Sequence, residues 1–303
     1  MKPPYEISQR ILQLYGEIGG SLGICRSLRL SRPDATLRKR NRIKTIHSSL
    51  AIEGNALTPD QVTALLEQHR VAGPAKDILE VQNAIHAYNQ LADLDPLSPV
   101  DFLKAHHVLM NGLVASAGKW RSQSVGVWQG AELQHLAPAP ERVPGLMEDL
   151  FTYLRQDTDL DLIKSCVFHY EAEFIHPFED GNGRMGRLWR TRLLMRVDPI
   201  FEFVPVEEVV RQHQEVYHHA LAEADHAGQS TGFIEFMLEA IHHALRDTML
   251  VAAPGSGDFQ HRADHALARL YVIYPGSKRH ALGERMEALP LEGLASRELA
   301  AAL

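Results

Sequence analysis

The chain has 303 residues, 45% hydrophobic and 23% charged, the balance of an ordinary globular protein with one large domain or two modest ones. Its formal net charge of -7 argues against a protein whose main task is coating nucleic acid, while leaving room for a local basic pocket. Two cysteines, Cys25 and Cys166, make neither a disulfide framework nor a zinc ribbon, no apolar run reaches the ~18 residues of a membrane helix, and the N-terminus carries no secretory h-region, so the expectation is a cytoplasmic protein with no membrane partner.

Helical periodicity dominates from the start. Apolar residues recur at helical spacing over roughly 5–28, 35–52, 59–68, 77–93 and 98–113. Inside the second of these, "RKRNRIK" (38–44) reads as the solvated face of a helix. That helix leads to "SLAIEG" (49–54), where Gly54 sits as a C-cap should. "SVGVWQGAELQHLAP" (124–138) alternates Val125 and Val127 and predicts a short surface β-hairpin turning around Gln129-Gly130.

Val143, Leu146, Met147, Leu150, Phe151 and Leu154 mark the buried face of the next helix. Leu160, Ile163, Val167, Tyr170 and Phe174 do the same for its successor, which should end near His176 because Pro177 follows. Helical patterns return at 184–196, 207–224 and 230–250. "VAAPGSGDF" (251–259) reads as a linker. Short helical patterns follow it, and the last, "LASRELAAAL", looks like the first half of a helix-turn-helix.

The densest chemistry is "HPFEDGNGRMGR", residues 176–187. Gly181-Asn182-Gly183 falls between one helix end and the next helix start. Glycines there let main-chain N–H groups converge, and the following helix aims its positive end at the same point, which makes an anion site. Arg184 and Arg187, three apart, share a face and reach one polyphosphate together. Asp180 is placed to carry a divalent cation, and Mg²⁺ takes few protein carboxylates. His176 can accept a proton from an attacking hydroxyl near neutral pH. Phe178 is the apolar peg of the loop. These parts add up to a nucleotide-phosphate site with a base, without saying which phosphate is attacked.

This stretch resembles the signature of the Fic family (Fic/Doc superfamily), His-x-Phe-x-(Asp/Glu)-Gly-Asn-Gly-Arg-x-x-Arg, at every fixed position. The resemblance implies an all-α fold. Its parts would be an N-terminal helical region (1–94), a helical catalytic core (95–250), the linker (251–259) and a small C-terminal helical segment (260–303), which could be a truncated winged helix. It implies transfer of AMP from ATP, with Mg²⁺, to a hydroxyl of a target protein. The roles it implies are His176 as base, Asp180 as metal ligand, and Gly181, Asn182, Gly183, Arg184, Met185, Gly186 and Arg187 as the nucleotide cradle. Asn-Gly-Arg, rather than the Asn-Lys-Arg of Doc kinases, favours adenylylation over phosphorylation. The hairpin, with Val125, Gly126, Val127 and Trp128, resembles the flap that aligns a target by strand addition, and Tyr217 is a candidate wall of the adenine pocket.

"SLAIEG" is similar to the inhibitory motif (Ser/Thr)-x-x-x-Glu-(Gly/Asn) of the class with an N-terminal inhibitory helix. The resemblance implies that Ser49, Glu53 and Gly54 form that motif and that Glu53 pairs with Arg187. Two unit charges ~4 Å apart at an effective dielectric of ~20 interact by about 4 kcal/mol before desolvation, enough to restrain nucleotide binding. Two alternatives stand beside transfer: removal of AMP from a modified protein, and a nucleotide-sensing regulator acting through a C-terminal DNA- or partner-binding region. The target protein is not legible, a homodimer is an open expectation because relatives often dimerise, and nucleic acid is disfavoured as a partner of this chain. The pairs His106-His107, His218-His219 and His242-His243 cannot each chelate a metal alone, because neighbours on a helix point about 100° apart.

Overall fold

From residue 9 to residue 252 the chain is mostly helix, in a computed structural model that describes residues 2–27, 33–129, 132–252, 270–274, 280–283 and 286–290. The order is α1 (Gln9–Ser27), α2 (Ala35–Ile52), α3 (Pro59–Leu66), α4 (Ala75–Gln90), α5 (Pro99–Met110), a hairpin of β1 (Gly126–Gln129) and β2 (Glu132–Leu136), α6 (Val143–Gln156), α7 (Asp161–Ile175), α8 (Asn182–Val197), α9 (Val206–Gln212), α10 (Gln214–Ala227) and α11 (Thr231–Ala252). Helix starts follow local chemistry. Asp34 caps α2 by accepting from Leu37 N–H at 2.9 Å. Thr58 and Gln61 form a capping box at α3, with Pro59 in its first turn.

Helices α7 and α8 pack on each other as the central helical hairpin. Ser165, Cys166, Val167, Phe168 and His169 of α7 are fully buried, and a helix buried all round must sit inside the core. Phe102 of α5 is the hub of an aromatic cluster, 5.1 Å from the Trp189 ring and 5.6 Å from Phe168, both edge-on. The expected buried face of α7 fails at its end, where Phe174 is exposed.

Helix α1 lies along α11 and α2 along α9. Ile11, Leu14 and Ile18 are at most 1% exposed and join the same hydrophobic core as α7 and α8. The core therefore runs unbroken across the expected boundary near residue 94. The pattern over 207–224 becomes two helices, because His213 leaves helical geometry (φ -117°, ψ 36°). Beyond that break only Tyr217 and Ala224 of α10 are buried.

Strands β1 and β2 pair antiparallel, with an irregularity between Val127 and Trp128. The expected linker is helix at its first two residues, since α11 runs to Ala252, and its remainder lies outside the described residues. The short helical patterns read in 260–303 meet a correction where that segment is described: β3 (Leu270–Tyr274), β4 (His280–Gly283) and β5 (Met286–Pro290) form a sheet of order β3-β5-β4. The β-branched and aromatic residues of "LYVIY" favour extended backbone there. "LASRELAAAL" lies outside the described residues.

Candidate active site

Helix α7 ends at Ile175, and His176 takes a left-handed conformation (φ 50°, ψ 60°) while its N–H still bonds to Ala172 O at 3.0 Å. A non-glycine residue held there carries strain of about 1–3 kcal/mol that its surroundings must offset. Arg121 supplies much of that support. It is 3% exposed, and its guanidinium donates to the carbonyls of His176 (2.7 Å), Ile175 (3.3 Å), Gln123 (2.8 Å) and Pro138. Arg121 N–H also bonds to Pro177 O at 2.9 Å. One buried cation thus joins the base of the hairpin to the end of α7.

The loop then turns inward on Phe178, which is fully buried. His106 of α5 stacks on the Phe178 ring at 3.6 Å and 4°. Gly118 N–H donates to His106 Nδ1 at 2.8 Å, so the proton sits on Nε2, which donates to Asp180 O at 3.0 Å. Burial pushes the imidazole down to about 4, which keeps it neutral for this work. Asn182 locks the turn from the other side: its Oδ1 accepts from Phe178 N and its Nδ2 donates to Phe178 O, both at 2.9 Å. Gly181 (φ 86°) must be glycine, because a Cβ there would also lie 2.6 Å from Met110 Sδ.

At the start of α8 the charges converge. His176 is half-buried, and its Nδ1 lies 3.3 Å from Glu173 O. A carbonyl only accepts, so Nδ1 carries the hydrogen and Nε2 is the basic nitrogen of the neutral ring. Asp180 Oδ1 accepts from Gly181 N at 2.6 Å and from Arg184 Nη2 at 2.8 Å. Arg184, 5% exposed, also donates to Glu80 Oε1 at 3.1 Å, and Asn55 Nδ2 holds the other oxygen of Glu80 at 2.8 Å.

Arg187 is buried, and its Nε and Nη2 are engaged by the end of α2. Its Nε donates to Ser49 Oγ (3.1 Å), and its Nη2 donates to Ser49 O (2.9 Å) and Glu53 Oε1 (2.7 Å). Burial would raise the Glu53 carboxyl, but the charge and hydrogen bond of Arg187, aided by Arg184, hold it below the usual carboxylate range. Gly54 (φ 87°) closes α2 by donating to Ala51 O at 3.0 Å, which turns the chain so that Glu53 faces Arg187. A Cβ on Gly183 would overlap Glu53 Oε1 and come 3.0 Å from Arg187 Nη1. The Glu53 carboxylate therefore rests on the glycine turn at the positive end of α8.

His176, Asp180, Gly181, Gly183, Arg184 and Arg187 lie together around one turn, and Ser49 and Glu53 reach Arg187 from α2. Three other residues read as nucleotide cradle do different work. The Asn182 side chain is consumed by the loop. Met185 is 1% exposed in the core. Gly186 lets α7 approach α8, since a Cβ there would meet Glu173 Oε1 at 2.8 Å. Tyr217 is buried: it is 2% exposed, lies 3.1 Å from His169 Nε2 through its hydroxyl, and packs beside Phe233. Its place on an inward-facing turn of α10 decides this. Val125 and Gly126 are half-buried at the hairpin base, and the Val127 and Trp128 side chains lie outside the described residues.

Sequence reading missed Glu80, His106, Arg121 and Glu173. Only Glu173 lies near the motif in the chain. Its Oε1 is buried without a hydrogen-bond partner, and burial raises its carboxyl to about 7 despite the nearby Arg187 charge.

The description of the Fic/DOC family matches residues 96–194. The chain is 30% identical over 255 residues to the protein adenylyltransferase Fic of Nematostella vectensis, covering 78% of this chain and 56% of that one. It is 31% identical over 175 residues to the protein adenylyltransferase fic-1 of Caenorhabditis elegans, covering 54% and 33%. The chain thus spans about half or less of the length of these curated relatives. A crystal structure of a Fic family protein from Desulfovibrio desulfuricans G20 superposes with a TM-score of 0.79 at 43% identity, covering 88% of this chain and 86% of that one.

Proposed function

This chain belongs to the Fic/DOC family, and we propose that it transfers AMP from ATP to a hydroxyl side chain of a target protein, under restraint by its own α2. The naming of its relatives as protein adenylyltransferases supports transfer over removal. The observation that carries the restrained-transfer reading is the 2.7 Å contact between Glu53 Oε1 and Arg187 Nη2 beside Gly183.

The chemistry follows from the residues. His176 Nε2 takes the proton of the target hydroxyl, and the resulting oxygen attacks the α-phosphate with pyrophosphate leaving. The glycine turn and the N-terminal end of α8 offer main-chain N–H groups to phosphate oxygens. Arg187, once released, and Arg184 neutralise the outer phosphates. Asp180 fits a Mg²⁺ that keeps phosphate ligands: both hydrogen bonds it accepts fall on Oδ1, and its side chain is 50% exposed, so Oδ2 stays available. The ion would supply charge neutralisation between phosphates. The hairpin offers main-chain groups for pairing a target segment, with Val125, Gly126, Val127 and Trp128 at that edge. No helix of the described residues is long and apolar enough to cross a membrane, and buried, unpaired Cys25 and Cys166 fit a cytoplasmic setting.

Glu53 excludes ATP in two ways: it occupies the anion turn and it holds the arginine meant for the outer phosphates. Glu53→Gly, incubated with ATP and Mg²⁺, should gain one AMP moiety by mass spectrometry and incorporate label at least about tenfold faster than wild type, since breaking a hydrogen-bonded ion pair of this kind is worth about 2 kcal/mol or more. Adding His176→Ala should abolish the gain. Equal labelling by wild type and Glu53→Gly, with an accepted target present, would remove the restraint, and labelling that survives His176→Ala would remove the base.

A further inference from the structure

The basic run at the start of α2 does not form one solvated face. Arg38 lies over the Phe203 ring at 5.7 Å. Arg42, 13% exposed, is bound to Glu202 Oε1 at 3.0 Å and to Tyr88 O at 2.9 Å. These two cations are structural. Lys39, Arg40 and Lys44 remain exposed. Together with Ile43 and His47 they lie within one face of the helix, at spacings of three and four. That face, with Pro59 and Thr63 of α3 and Arg211 of α9, walls a groove of about 440 Å³.

The groove's charges are unevenly satisfied. Lys39 is tied to Glu67 by an exposed pair of little net value. Among the described residues Arg40 and Lys44 have no carboxylate within ion-pair distance, although the Lys44 charge helps hold the Glu208 carboxyl below its ordinary range. Glu208, the acid of the groove, is taken by the Ser48 hydroxyl and by Arg211. Ile43 and Pro59 supply apolar lining. The chain carries a formal charge of -7, so this cationic edge stands against the molecule's overall sign.

We propose that the groove between α2, α3 and α9 docks an acidic segment of a partner protein, with carboxylates on Arg40 and Lys44 and one apolar side chain on Ile43 and Pro59. Nucleic acid fits less well. Among the described residues no phenylalanine, tyrosine or tryptophan lines the groove to stack a base, and with Lys39 and Arg211 already engaged by Glu67 and Glu208, the cations left neutralise too few phosphates to hold a strand at physiological salt. The docked helix is the one whose last turn grips Arg187, so the segment and the active site address one rigid element.

The test uses the full chain and a short fluorescein-labelled peptide of glutamates around a central leucine, followed by anisotropy. Binding should weaken steeply with added salt and fall by about tenfold or more in the double variant Arg40→Glu/Lys44→Glu. Both positions are exposed, and an unchanged Tm of the variant checks its fold. On wild-type protein, the peptide should slow amide hydrogen exchange in residues 36–47. Absence of binding, equal binding by the variant, or protection elsewhere would overturn the proposal. So would tighter binding of a single-stranded oligonucleotide that the same variant abolishes.

Discussion

The Oε1 oxygen of Glu53 lies within clashing distance of the point where a Cβ on Gly183 would sit. The acid at the end of α2 and the glycine at the start of α8 are 130 positions apart in sequence, yet the carboxylate fits the turn only because Gly183 has no Cβ. On the proposed function, Glu53 and an incoming phosphate would be rivals for one bare patch of backbone.

Gly183→Ala separates the two roles of that patch. The added methyl should push Glu53 out and also occupy the turn itself. We expect no gain of AMP transfer in this variant, in contrast to Glu53→Gly, and an ATP affinity in the Glu53→Gly/Gly183→Ala double variant at least about tenfold weaker than in Glu53→Gly alone, one lost charge-assisted contact being worth roughly 1.5–3 kcal/mol. Calorimetric titration with a non-hydrolysable ATP analogue measures it.

Ser49 contributes less than Glu53. Ser49→Ala removes the hydroxyl that accepts from Arg187 Nε but leaves the carbonyl that accepts from Nη2. Loss of about 1 kcal/mol of restraint should raise ATP affinity by roughly fivefold at most. A Ser49→Ala protein as active as Glu53→Gly in label incorporation would show that the hydroxyl, not the carboxylate, dominates the clamp.

Arg121→Lys tests the support behind His176. An ammonium on a flexible stem cannot reach the carbonyls of Gln123, Pro138, Ile175 and His176 together. The variant should lose about 3 kcal/mol or more in urea unfolding, because buried acceptors are left unpaired. In the Glu53→Gly background, kcat should fall while the KM for ATP moves little, since the base is displaced and the phosphate cradle is not. A drop in ATP affinity alone would contradict this assignment.

His106 links stability to pH. Its folded value, about 4, lies below the ordinary 6.5 because of burial. The unfolded chain therefore binds the extra proton first as pH falls, and the stability tied to the neutral ring is present above 6.5 and lost on the way down to 4. The full swing is roughly 3 kcal/mol. His106→Phe keeps the stack on Phe178 but cannot titrate, so the stability difference between wild type and variant should shrink by up to that amount between pH 7 and pH 4 in denaturant titrations. A difference flat across that range would mean the ring is not buried neutral. Glu173 opposes this trend in wild type: with its folded value at about 7, its contribution is present below 4.5 and fades as pH rises through 7. The subtraction removes it.

Much of this was legible in one dimension. Helices α2, α5, α6, α7 and α8 are marked by caps, prolines and apolar spacing, which are local. The motif 176–187 packs a histidine, a loop carboxylate, a glycine turn and two arginines into twelve consecutive residues, so its chemistry is legible without a fold. Local signals misled where burial decided: Met185 and Tyr217 have the chemistry of pocket residues but face the core, and the described part of 260–303 pairs as strands. Arg121 and His106 carry no signal, because an isolated arginine and a histidine on an ordinary helix become loop supports only when distant carbonyls arrive.

By itself, then, the order of residues determined what groups stand together along contiguous stretches: a glycine turn, a histidine beside it, a helix ending in serine and acid. Only the tertiary structure decided that these ends meet. Bringing residue 53 to residue 187 costs loop entropy that no local pattern encodes, and it is the burial of α1 on α11 and α2 on α9 that offsets that cost and sets the carboxylate on the glycine.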